Sequence, residues 1–350
     1  MKKTNFTTCG IAVLVSVLAM FVTGCGQTSD KVHADNNNKT VDYSDEKESG
    51  NTIDKLHQNN SLNSDDAESH NNNGTACRRR GDYDRAIREY DKAIQLKPDE
   101  AEYYNNRGNV YKDIANYDRA IKDFDKAIQL KPDEAQYYNN RGIVYRKDGN
   151  YGRAIEDFEK AIQLKPDYAN AYTNRGNMFK DINIYDRAIK DFDKAIQLKP
   201  DGAIHYNNRG NVYNIVGNYE RAIKDFDKAI QLKPDEAMYY SNRGFGYGGI
   251  GNYERAIKDF DKAIQLKPDD AETYYLRGAA YFQKDADVRT IKDIDKAIQL
   301  KPDYAEAYYL RGAAYHNIGN YVQANKDREK AIQLKPSVKQ LLQMKHYIKQ

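Results

Sequence analysis

The heptapeptide KAIQLKP occurs eight times, beginning at Lys92, Lys126, Lys160, Lys194, Lys228, Lys262, Lys296 and Lys330. Each start lies 34 residues after the last, and the chain's eight prolines all close copies of this phrase. No other feature restricts the fold so strongly. A fixed period of this length signals a repeat array rather than a set of separate globules, whatever the total length of 350 residues would suggest. Proline is excluded from helix interiors, tolerated in a first helical turn, and drives the residue before it out of the α region. One proline per period therefore predicts a helix end and the start of the next unit's first helix. Seven of the eight are followed by Asp, which favours a helix amino terminus, and the last by Ser337.

Within a unit the apolar pattern is helical twice over. From Ala101, Tyr104, Gly108 and Tyr111 fall at i, i+4 and i+7. After Asn116 and Tyr117 comes a second stripe, Ala120, Phe124, Ala127 and Ile128. Each unit thus reads as two helices and a short turn. Glycine recurs mid-helix (Gly108, Gly142, Gly176 and onward) at about 1 kcal/mol relative to alanine, which implies that the second helix must approach closely there. Seven units also carry an arginine and an aspartate sixteen residues apart, Arg107 with Asp123 through Arg311 with Asp327. These are expected to tie the two helices together. The first unit has Asn73 and Glu89 at those places.

A helix–turn–helix unit of 34 residues with aromatic, Gly, aromatic, Ala, aromatic, Ala and Pro at these spacings resembles the tetratricopeptide repeat (TPR). The resemblance covers residues 67–336 and implies an all-α, right-handed TPR superhelical solenoid of eight units, the first and last atypical, closed by a capping helix over 337–350. It further implies a concave groove lined by the first helices. Asn106, Asn140, Asn174, Asn208 and Asn242 stand one per unit and resemble the asparagine ladder of O-linked N-acetylglucosamine transferase, where amides pair with a peptide backbone. An amide offers both donor and acceptor. Asn109, Asn177 and Asn211 add amides to the expected groove, and Lys112, Arg146 and Lys180 add charge. Toward the carboxyl end Leu276 and Leu310 replace the ladder, and Tyr275, Phe282 and Tyr309 form an expected aromatic patch.

The amino terminus reads differently. Lys2 and Lys3 precede a 12-residue apolar run from Ile11 to Val22, the order of a secretory signal and too short to span about 30 Å of hydrocarbon. Val22-Thr23-Gly24-Cys25 resembles the lipobox of bacterial lipoproteins, which implies cleavage after residue 24 and a lipidated Cys25. An ordinary cleaved signal with a chance cysteine is the alternative. Residues 25–66 form an acidic tether, expected to be disordered, with a reach of about 35 Å. From Cys25 to Asn73 four lysines face ten Asp and Glu, although the whole chain is +3. The basic excess of the body is too dilute to indicate nucleic acid.

The six histidines show no metal-ligand spacing and no catalytic triad is assembled, so no enzyme, cofactor or small-molecule substrate is expected. GFGYGG at 244–249 and RGD at 80–82 match a nucleotide fingerprint and an adhesion motif by letter only, one inside a helix and the other in a turn. Cys77 reads as a packing residue. The leading expectation is a non-enzymatic adaptor, lipid-anchored on the extracytoplasmic side of a bacterial membrane (the outer one where present), that binds extended segments of partner proteins. The rival is a surface adhesin or self-assembling spacer that uses the convex face.

Overall fold

A computed structural model describes residues 66–337. The expected signal, Cys25, most of the tether, and the capping helix from residue 338 on lie outside the described residues. Those residues form two compact units, 66–200 and 201–337, of four helix pairs each. The amino-terminal unit holds α1 (Ala67–Arg79), α2 (Tyr83–Leu96), α3 (Ala101–Asp113), α4 (Tyr117–Leu130), α5 (Ala135–Lys147), α6 (Tyr151–Leu164), α7 (Ala169–Asp181) and α8 (Tyr185–Leu198). The carboxyl-terminal unit holds α9 (Ala203–Ile215), α10 (Tyr219–Leu232), α11 (Ala237–Gly249), α12 (Tyr253–Leu266), α13 (Ala271–Gln283), α14 (Asp287–Leu300), α15 (Ala305–Asn317) and α16 (Tyr321–Leu334). Among the described residues there is no strand. The architecture is an all-α array of helix pairs, as the period predicts.

The pair geometry follows from the glycine. A Cβ on Gly108 would stand 3.0 Å from Phe124 Cε1, and one on Gly142 2.8 Å from Phe158 Cε1. The ring of the second helix therefore lies directly on the first helix's backbone, flanked by the buried Ala120 and Ala127. Burying such a ring contributes about 1.5–3 kcal/mol. In the first unit Tyr90 takes this place, its hydroxyl 3.0 Å from Thr75 Oγ1, and Cys77 packs beside it with Ala86 and Val110.

Two junctions shape each repeat. Between its helices one residue is left-handed: Gly149 at φ 80°, and without glycine's freedom Ala115 at φ 56°. Asn116 then caps α4, its side chain accepting from the Arg119 N–H. Between repeats, α4 stops at Leu130 and Lys131 leaves the α region (φ −142°, ψ 80°), as a residue before proline should. Pro132, however, does not open the next helix. Pro132 and Asp133 form a turn, Glu134 occupies the cap position without a side-chain cap, and α5 begins at Ala135. The Tyr138 hydroxyl donates to the Pro132 carbonyl at 3.0 Å, and Tyr104 and Tyr240 hold Pro98 and Pro234 alike. A tyrosine latch positions the linker where a first-turn proline was expected.

Candidate functional site

Seven arginines of the first helices are committed to the scaffold. Arg107 grips Asp123 with two hydrogen bonds, Nε to Oδ2 at 2.9 Å and Nη2 to Oδ1 at 2.7 Å, and reaches Asp91 of the preceding repeat with Nη1. Arg141, Arg243, Arg277 and Arg311 make the same three-way contact. Burial opposes the Arg107 charge, but Asp123 and Asp91 outweigh it and hold the guanidinium protonated beyond its usual range. Each such arginine staples two helices of its own repeat to the one before. The first repeat lacks the arginine, and His70 replaces it, with Nδ1 2.7 Å from Glu89 Oε2. Burial pushes the Glu89 carboxyl up, yet the His70 bond and Lys92 carry it below the ordinary glutamate range.

The asparagines are not arranged as an open ladder. In the amino-terminal unit Asn174 Nδ2 donates to Asn139 Oδ1 at 2.9 Å, Asn139 to Asn140 at 3.4 Å and Asn140 to Asn105 at 3.0 Å. Asn105 donates on to Asn106 at 3.3 Å, and Asn106 to Asn71 at 2.9 Å. Six side-chain amides form one directional relay that crosses from α7 to α1. Asn140 is 1% exposed, and Asn71, Asn105, Asn139 and Asn174 are buried. Asn140 and Asn174 were expected to face a groove; they are spent between repeats because residues 35 apart, not 34, meet across neighbouring first helices. Asn106 stays half-exposed. In the carboxyl-terminal unit the relay is short, Asn242 to Asn207 at 2.9 Å and Asn207 to Asn208 at 3.4 Å, with Asn208 and Asn242 half-buried.

The neighbouring positions divide in the same way. Asn109 is buried and accepts from Lys112 Nζ at 2.9 Å, and Lys112 is itself buried, so neither stands open as expected. Arg146 is 8% exposed and holds Asp181 Oδ2 through Nε at 2.7 Å. Lys180 lies 3.9 Å from the same aspartate, and Asn177 and Asn211 are half-buried.

The expected aromatic patch is largely core. Tyr275 is 1% exposed, its ring 5.0 Å from that of Tyr304, and it clusters with Ile294, Ala297 and Leu310. Burial pushes its phenol far up. Phe282 packs against this cluster, and Tyr309 is half-buried. The reason is positional: Tyr275 and Leu276 stand where the amino-terminal unit has Asn139 and Asn140. Amides and hydroxyls (Thr173, Ser241) fill the relay register as far as Asn242, and Tyr275, Leu276, Tyr309 and Leu310 fill it in the last two repeats. Residues 244–249 lie within α11, so their glycines form no phosphate loop. Among the described residues no group of His, Cys, Asp and Glu is placed to hold a metal, and no helix is long and apolar enough to cross a membrane.

Comparison with known proteins returns one family. Its model described as "TPR repeat" matches residues 74–114, 250–285 and 291–319. That described as "Tetratricopeptide repeat" matches 101–134, 135–168, 169–201 and 203–236. No curated protein matches the chain. Among solved structures, a tetratricopeptide repeat protein from Parabacteroides merdae is similar at 22% identity and a TM-score of 0.56, over 69% of this chain and 97% of that one. The APC/C hetero-tetramer Cut9-Hcn1 is similar at 17% identity and a TM-score of 0.59, over 73% of this chain, which spans 50% of its length. Pseudomonas aeruginosa pilF is similar at 20% identity and a TM-score of 0.53, over 58% and 92%. At these identities the likeness is one of fold.

Proposed function

The chain belongs to the tetratricopeptide repeat family, and from that premise we propose that it is a non-enzymatic adaptor that takes up extended segments of partner proteins along its first helices. Repeats of this family build protein–protein interaction scaffolds. The observation that carries the reading is internal to the chain. Among the second helices of the central repeats sequence is copied: α4 and α8 are identical, and so are α10 and α12. No two first helices are identical. Packing is repeated where the scaffold needs it, and variation is concentrated on the helices that would meet a ligand. The half-exposed amides of Asn106, Asn208, Asn242, Asn177 and Asn211 remain as candidate contacts, each net hydrogen bond contributing about 0.5–1.5 kcal/mol.

The anchoring belongs to the same proposal. The charged start, short apolar run and VTGC support lipidation of Cys25 and retention on the extracytoplasmic face of a bacterial membrane. Two acyl chains would hold it there stably. Labelling cells with an alkyne fatty acid tests this: label is expected on the parent and lost in Cys25→Ala, and persistence in the variant refutes it.

A second reading, self-association through the outer face, is favoured by one feature. Val288 and Val322 take the register held by Asp118, Glu220 and Glu254, and they are 74% and 67% exposed beside the exposed Tyr321. Photoreactive residues at Asn106, Asn211 and Val322 separate the two. Adducts with other proteins from Asn106 or Asn211 support the adaptor. Adducts only from Val322, and only with copies of this chain, favour the spacer.

A further inference from the structure

The turns inside the repeats of the amino-terminal unit make one edge. Only residues 114–116 part α3 from α4, and a connection that short sets its helices antiparallel. Direction alternates down the unit, so the turns within repeats fall on one edge and the proline turns on the other. The two edges differ in charge. Residues 78–85, 112–119, 146–153 and 180–187 carry eleven Lys and Arg against seven Asp. On the proline edge, 96–102, 130–136 and 164–170 carry three lysines against six Asp and Glu. The matching turns of the carboxyl-terminal unit, 214–221, 248–255, 282–289 and 316–323, are balanced at four against four.

Three guanidiniums on the basic edge are held in place but unpaired. Arg119, Arg153 and Arg187 are exposed. Each stacks over a buried ring of its own first helix, Tyr111, Tyr145 and Phe179, at 5.5, 5.6 and 5.5 Å from the centroid. Among the described residues their side chains have no ion-pair or hydrogen-bond partner. Tyr145 also carries Arg141 at 5.8 Å, but that guanidinium is spent on Asp157 and Asp125. Stacking uses the face of a guanidinium and leaves its N–H fork free for an oxyanion. Apolar groups stand uncovered beside them: Ile114 and Ile184 are 41% and 40% exposed, and Tyr151 37%. All four turns end in Tyr-x-Arg, at 83–85, 117–119, 151–153 and 185–187. So uniform an edge suits a partner that has no sequence of its own. An anionic bilayer offers phosphates to the arginines, a headgroup layer to the tyrosines and an acyl boundary to the isoleucines. We propose that the turns within repeats of the amino-terminal unit form a peripheral binding edge for anionic phospholipid, with Arg119, Arg153 and Arg187 on the phosphates and Ile114 and Ile184 at the acyl boundary. The inference needs neither the first-helix row nor Cys25 and stands apart from the adaptor reading.

The test uses the full-length chain with a fluorescent amino acid in place of Ile114 and, in a second preparation, in place of Asp133 on the proline edge. Vesicles of phosphatidylglycerol carry a headgroup nitroxide, which quenches at contact range, so attachment of the amino terminus alone gives no signal at either position. Quenching is expected at residue 114 and not at residue 133, and not at residue 114 on vesicles of phosphatidylcholine. Arg119→Gln, Arg153→Gln and Arg187→Gln together should lower the ratio of quenched to unquenched probe about a hundredfold, roughly fivefold for each cation near an anionic surface, with helicity by circular dichroism unchanged. Arg→Lys at the same three positions keeps the charge and should restore contact. Salt that shrinks the Debye length to about 3 Å should abolish it. No quenching at residue 114, equal quenching on both edges or both lipids, or contact indifferent to the three Arg→Gln changes overturns the proposal. A response at residue 114 to polyglutamate but not to vesicles overturns it as well and assigns the edge to an acidic protein. Partner adducts at Asn106 or Asn211 report on the adaptor alone, so either reading can fail without the other.

Discussion

The two units share one scaffold and differ in what fills its inner register. In residues 66–200 buried asparagines hand hydrogen bonds from repeat to repeat, and cations stand at the helix ends. In residues 201–337 the relay stops after Asn242, Asn207 and Asn208, and the later repeats put Tyr275 and Leu310 into the same buried positions. Glycine-on-ring packing runs through the first six repeats, with Ile294 over Gly278 and the α16 backbone over Gly312 in the last two, and the Arg–Asp staples continue through both units. The lesson is that a repeat scaffold tolerates opposite chemistries at one buried position, provided every polar group there finds a partner. A fully satisfied amide relay and an apolar cluster are both stable; a half-made relay is not.

The sharpest way to break the comparison is in the apolar half. Tyr275→Ala should open a cavity and cost about 3–5 kcal/mol, confined to the carboxyl-terminal unit. Hydrogen exchange through a denaturant series would localise the loss, since repeats need not melt together. Equal loss of protection in residues 66–200 would show that the array melts as one.

The mirror substitution comes next. Asn140→Leu copies the apolar solution into one site of the relay and strands the Asn105 carbonyl and the Asn139 amide. We expect a loss of about 1–3 kcal/mol, although leucine favours helix more than asparagine does. A neutral or stabilising result would mean that the relay re-pairs around the gap.

A smaller, pH-dependent effect distinguishes the first repeat from the rest. Glu89 titrates lower folded than unfolded. Its contribution is therefore complete above the ordinary glutamate range and is lost as pH falls through the depressed folded value. His70→Ala should remove on the order of 1 kcal/mol at neutral pH and flatten this acid limb in α1 and α2. An acid limb of unchanged depth would assign it to other carboxylates.

The smallest expected effect is a gain. Ala115 is left-handed where Gly149 and Gly217 stand in other repeats. Ala115→Gly should relieve backbone strain of about 1–2 kcal/mol, less the extra unfolded-state entropy of glycine. The net stabilisation is about 0.5 kcal/mol, readable as a higher denaturation midpoint. Gly217→Ala should move the midpoint the other way.

Much of the architecture was legible because it repeats. The 34-residue period, the i, i+4, i+7 faces, the glycine under each ring and the arginine–aspartate spacing all depend on contacts within one helix pair, and their residue types are fixed by size and charge. The helix stop before each proline was legible for the same reason, since Lys131 answers to its own neighbour. The candidate site was far less so. Asn140 and Asn174 looked like groove residues because one copy per repeat suggests a row. Whether a row faces outward or closes on itself depends on the offset between neighbouring helices, and periodicity carries no information about offset.

By itself, then, the sequence determined the element type, the unit boundaries and the pairing within units, all consequences of local backbone sterics and side-chain volume. The tertiary structure alone decided that residue 140 meets 105 rather than 106, that His70 takes the place of a missing arginine, that Tyr138 rather than the proline positions the next helix, and that Tyr275 is core. Each of these is a contact between elements, set by how deeply one helix settles on the next.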